Sequence, residues 1–150
     1  MLFVFFSMIS LGSYAQSVTF SQLLGVYKGT LTPENAFSGA EKFEVKGLGT
    51  EGSSSGAFYV ISKGLPAEET IHVGLGVSSG EGISRKELTY YTMDSIKVSS
   101  LQSQITAAQF KLESHQQLLG MRSYNYSKDS AAVWVNRDSE GSFTIKVMHK

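Results

Sequence analysis

Hydrophobic and polar residues alternate with a period of two along much of the chain. In Glu41-Lys42-Phe43-Glu44-Val45-Lys46, Phe43 and Val45 fall on one face and the charged residues on the other, as a half-buried strand requires. Ile71-His72-Val73-Gly74-Leu75-Gly76-Val77 and Phe143-Thr144-Ile145-Lys146-Val147 repeat the pattern. Further strands are predicted over residues 26–31, 57–62, 88–93, 109–113, 121–126 and 131–136, most of them bounded by Gly, Ser, Asn or Asp. A polar, glycine-bearing link over 137–142 makes residues 131–147 a hairpin. Leu101, Ile105, Ala108 and Leu112 recur at helical spacing while Ala108, Phe110 and Leu112 recur at strand spacing, which predicts a short helix near 100–107 running into a strand. The expected fold is all-β: a single antiparallel barrel or a β-sandwich of about eight or nine short strands. Leu31, Phe43, Val45, Ile71, Val73, Leu75, Phe143 and Ile145 are then the inward residues, packing a core or lining a cavity.

The opening segment breaks the alternation. Residues 1–11 form an apolar run interrupted only by Ser7 and Ser10, followed by Gly12-Ser13-Tyr14-Ala15-Gln16, and the first charged residue is Lys28. This pattern is that of a signal peptide over 1–15, lacking a basic leading region, with a small-residue cleavage site after Ala15. The run is about half the roughly 20 residues that a membrane-spanning helix needs. Residues 16–150 are then one all-β domain, a length at which a core holds without disulfides.

Charge and composition narrow the classes further. The 150 residues carry 13 Lys and Arg against 13 Asp and Glu, no run of like charge, and no Cys. Neutrality supplies no footprint for nucleic acid or an anionic lipid surface. Without Cys there is no disulfide, thiolate nucleophile, Cys-based metal site or N-terminal lipid anchor. Export without disulfides suits an extracytoplasmic setting, periplasmic or secreted, in a bacterium.

Catalytic patterns fail on context. Gly47-Leu48-Gly49-Thr50-Glu51-Gly52 has dinucleotide spacing, but no helix follows to present N–H groups to a phosphate. Gly52-Ser53-Ser54-Ser55-Gly56 matches a nucleophile elbow without the strand-to-helix turn that the elbow needs. Glu68, Glu69 and His72 are close in sequence, but Glu68 and His72 stack one above the other only on a helix, and His72 begins a strand. No catalytic, metal or cofactor site is expected; an enzyme ranks third, behind two binding readings, and an outer-membrane barrel lower still, because its strands need about 9–11 residues and these alternations run shorter.

The aromatic residues are the suggestive ones. Phe58-Tyr59 and Tyr90-Tyr91 are adjacent pairs within strands, so each pair sends one ring to each face. Tyr124 and Tyr126 share a face, and Trp134 points opposite to Val133 and Val135. Tyr59, Tyr91, Tyr124, Tyr126 and Trp134 are therefore the candidate binding residues, with cross-strand stabilisation as the alternative role.

Leu23-Leu24-Gly25-Val26-Tyr27-Lys28-Gly29-Thr30-Leu31 resembles the first-strand motif of lipocalin-like and other calycin domains, with Tyr27 where that family carries Trp. The resemblance implies a single up-and-down barrel around an apolar cavity, with Gly25 and Tyr27 as structural first-strand positions. Two functions are in view: an exported module binding a small apolar molecule in a barrel cavity, and a sandwich-type recognition or adhesion module binding a glycan or protein through surface aromatics.

Overall fold

The computed structural model describes residues 18–45, 56–62, 69–77 and 84–150. Residues 1–15 and the glycine- and serine-rich stretch 47–55 lie outside the described residues, as does Glu68.

The described residues open not with a strand but with helix α1, Phe20–Lys28. Thr19 and Gln22 form a reciprocal capping box: the Gln22 N–H donates to Thr19 Oγ1 at 3.3 Å and the Thr19 N–H to Gln22 Oε1 at 2.8 Å, which satisfies two otherwise orphaned donors. Phe20, Leu23 and Val26 fall on one helix face and are buried. Gly29, at φ +75°, ends the helix in the left-handed conformation, and its turn is tied back to the carbonyls of Gly25 and Val26. The expected strand over 26–31 is therefore a helix end and its cap. Gly25 and Tyr27, expected as first-strand positions, lie inside α1, and Leu31, expected to point inward, is 40% exposed beyond the cap. A short helix α2, Pro33–Ala36, follows, capped by Thr32 with Pro33 at its first position.

Eight antiparallel strands follow, as the alternation predicts: β1 Glu41–Val45, β2 Gly56–Ser62, β3 Glu69–Val77, β4 Ser84–Thr92, β5 Lys111–Leu118, β6 Met121–Lys128, β7 Ala131–Arg137 and β8 Phe143–His149. Helix α3, Ser95–Ala107, separates the first four from the last four and contains the helix expected near 100–107. The strands form one sheet in the order β1-β2-β3-β4-β8-β7-β6-β5. Each half is a meander of sequence neighbours, and the halves meet where β4 pairs with β8, Leu88 opposite Val147 and Tyr90 opposite Ile145. The sheet is not closed: β1 and β5 are its two edges. At β2, Gly56 sits so close to β3 that a Cβ there would lie 2.4 Å from the Val73 carbonyl oxygen.

Both longer helices lie on one face of this sheet. The core joins Phe20, Leu23 and Val26 of α1, and Val98, Leu101 and Ile105 of α3, to Ile71, Leu88, Tyr90, Val133, Val135, Ile145 and Val147 of the strands. Strand lysines reach the carbonyls at both helix ends: Lys86 Nζ donates to the Val26 carbonyl at 2.6 Å and Lys128 Nζ to the Ala108 carbonyl at 2.8 Å. At the other end of α3, Lys97 pairs with Glu69, which is 1% exposed and also accepts the Tyr90 hydroxyl at 2.9 Å. Burial, reinforced by Glu69, holds the Tyr90 hydroxyl above its ordinary pKa.

Candidate functional site

Among the described residues, no helix lies on the opposite face of the sheet. Strand pairing lines up one residue from each strand across it: Phe43, Phe58, His72, Thr89, Lys146, Trp134, Asn125 and Ser114. Of these, Phe43 is 46% exposed, Phe58 37% and Trp134 42%, large values for rings that would gain by burial. A second row, Val60, Thr70, Tyr91, Thr144, Asn136, Ser123 and Gln116, lies two residues further along the strands. Tyr91 on β4 and Trp134 on β7 are separated by β8 alone, which places them about 10 Å apart across the sheet and about 7 Å along it.

The chemistry of this face is aromatic and hydroxylic. The Phe58 and His72 rings stack, centroids 4.5 Å apart. Partial burial lowers the His72 pKa below the ordinary imidazole value, against the opposing pull of Glu87. Lys146 pairs with Glu87 at 2.8 Å. Asn125, directly opposite Trp134, donates from Nδ2 to Ser114 Oγ at 3.0 Å, and its buried carboxamide oxygen has no hydrogen-bond partner among the described residues. An unmet buried acceptor is costly.

The five aromatics singled out by sequence divide between the two faces. Tyr91 and Trp134 lie on the uncovered face. Tyr59, Tyr124 and Tyr126 lie on the helix face. Tyr59 is buried, donates its hydroxyl to Glu34 at 3.0 Å and packs on Phe37; burial and that carboxylate raise its pKa. Tyr126 is buried too, and its hydroxyl accepts from Gln102 Nε2 of α3 at 3.3 Å. Tyr124 is half-buried, stacks with His115 and borders a groove beside α3. These three hold the covered side together rather than forming an exposed surface.

Phe43, expected inward, faces out beside Phe58, and both join the uncovered row. Ile71 and Ile145 are buried as expected, and Val73 and Phe143 are partly buried against the core; the side chains of Val45 and Leu75 lie outside the described residues. Period two gives the relative facing of Phe58 and Tyr59, but which face the helices take is not written in it. His72, whose outward direction the alternation gives, stacks with one of these rings.

Among the described residues, no group of three or more His, Asp or Glu side chains is arranged to hold a metal ion, and no helix is long and apolar enough to cross a membrane. No protein-family model, curated protein or solved structure matches the chain.

Proposed function

We propose that the protein is an exported recognition module that holds a carbohydrate chain across the uncovered face of its sheet. The observation that carries this reading is the row of exposed rings, Phe43, Phe58 and Trp134 with His72 among them, on a face otherwise rich in Thr, Ser, Asn and Gln. An aromatic face carries partial negative charge, so the C–H faces of pyranose rings stack on it, while hydroxyl and carboxamide side chains exchange hydrogen bonds with sugar hydroxyls. The uncharged apolar run over 1–11 and the small residues before Gln16 support export.

Of the two readings drawn from the sequence, this one is favoured over an apolar ligand in a barrel cavity by two features: the sheet has two edges, and the space between sheet and helices is filled by side chains that are almost wholly buried.

Trp134 is the sole tryptophan of the chain, so its emission reports on the site directly. A glycan array should identify bound oligosaccharides, and titrating one of them should shift Trp134 emission. Tyr91→Ala and Phe58→Ala should each weaken its binding by about tenfold or more, the scale of a lost ring contact. A folded protein that binds no glycan, or whose glycan binding survives Trp134→Ala unchanged, would overturn the proposal.

A further inference from the structure

Arg122 on β6 and Arg137 on β7 are direct cross-strand partners on the helix-covered side. Like charges at such positions, with Cβ atoms about 5 Å apart, repel one another. Neither has an ion pair among the described residues. Arg137 lies over the Phe143 ring, 5.7 Å from its centroid. The carboxylate nearest in sequence, Asp138, is engaged elsewhere: it accepts from the Glu140 and Ser142 N–H groups at 2.9 Å and from the Ser142 hydroxyl, which also lowers its pKa. Two arginines thus stand opposite one another in the ladder with no compensating charge among the described residues.

They line a groove of about 210 Å³ between the strands and the start of α3, together with Ser95, Ser99, Gln102 and Tyr124. The hydrogen-bonding inventory of this groove is specific. The Ser95 and Tyr124 hydroxyls make no hydrogen bond among the described residues and add two donors to the guanidinium groups. Ser99 spends its proton on the Ser95 carbonyl at 2.9 Å and Gln102 one amide proton on Tyr126, so Ser99 Oγ and Gln102 Oε1 are left as acceptors. Donors therefore come from the two arginines, Tyr124 and the first residue of α3, and acceptors from Ser99 and Gln102 further along the helix.

We infer that this groove binds a small hydroxylated oxyanion, its carboxylate or phosphate held between Arg122 and Arg137 and its hydroxyls donating to Ser99 and Gln102. Paired guanidinium groups match the two-oxygen geometry of both anions, and the volume, below that of drug-sized pockets, suits one sugar-sized body. The site is on a different surface from the aromatic row, so it stands or falls independently of the carbohydrate reading.

Calorimetric titration of the full chain with glucuronate, glucose 6-phosphate, inorganic phosphate and neutral glucose tests it. Glucuronate or glucose 6-phosphate should bind more tightly than inorganic phosphate, and glucose should not bind at the arginines; which of the two acids wins separates a carboxylate from a phosphate ligand. Arg122→Gln and Arg137→Gln should each weaken the better acid by about tenfold or more, while Arg122→Lys, keeping charge but losing the planar fork, should fall between. Because Arg122→Gln relieves a like-charge pair, its melting temperature should not fall, so lost binding reads as lost contact. No binding of either acid at millimolar concentration, inorganic phosphate binding as tightly as glucose 6-phosphate, or affinity unchanged in Arg122→Gln, would each overturn the inference.

Discussion

The two faces of the sheet are written in the same alternation and end in opposite environments. On one, Leu88, Tyr90, Val133, Ile145 and Val147 are sealed beneath α1 and α3. On the other, Thr89, Lys146 and Trp134, their immediate chain neighbours, and Asn125 opposite Trp134 have no helix above them among the described residues. The covered face obeys the usual rule that apolar area leaves water. The uncovered face departs from it with large rings left partly wet, and single exposed rings are ordinary whereas Phe43 and Phe58 on adjacent strands, with Trp134 further along the same row, ask for a partner. Stability is concentrated on one side, and the other is left free to be shaped by recognition.

That contrast can be broken by substitution. The largest effect is expected at Leu88→Ala, which empties a fully buried position under α1 and should cost about 2–5 kcal/mol in denaturant unfolding. Next comes Lys97→Met, which leaves the buried Glu69 carboxylate with only the Tyr90 hydroxyl; unpairing a buried charge typically costs about 3–5 kcal/mol, and the partial exposure of Lys97 puts this case near the lower figure. Trp134→Ala should lower stability by less than about 1 kcal/mol while removing glycan binding, and a loss as large as that of Leu88→Ala would erase the distinction between the faces.

The smallest effect is electrostatic and belongs to His72. Its folded-state pKa lies below the ordinary value of 6.5 because the ring is partly buried. As pH falls through 6.5 the unfolded chain gains a proton that the folded chain resists, so the stability present above 6.5 is progressively lost below it. NMR titration should place the His72 midpoint under 6.5, and His72→Gln should flatten this part of the stability profile.

Most of the sheet was legible because strands half-covered by helices must alternate. Residues 41–45, 71–77, 131–136 and 143–147 announce themselves by period two, and the hairpin over 131–147 by its polar link. The expected strand over 26–31 misled because Gly25 and Gly29 suggest a strand bend as readily as a helix end. The discriminating signal was local: Thr19 and Gln22 three apart at the start, Gly29 at the end.

Helix α3 begins five residues earlier than its apolar spacing suggests. Asp94, accepting from the Ile96 and Lys97 N–H groups, sets its start, and only Val98, Leu101 and Ile105 are buried along it. Strand β5 runs to Leu118, beyond the expected 113, because every one of its residues is exposed at an edge; with neither face buried, nothing selects an alternating pattern. The candidate site was half legible for a related reason. Period two sorts Tyr90 from Tyr91 and Val133 from Trp134, but the choice of covered face depends on where α1 and α3 dock. The pairing of Arg122 with Arg137 is a matter of hairpin register, which no single-strand pattern carries.

The single seam between β4 and β8 has a consequence for how the molecule comes into being. Every other strand partner is the next strand along the chain, so those hairpins close short loops at little entropic cost and on the microsecond scale. The seam joins residues as distant as Leu88 and Val147. During synthesis β4 must wait with one edge bare until α3 and four further strands have emerged. Through that interval it is an open template for pairing with another chain, and the delay between β4 and β8 is when this protein is most exposed to misassembly.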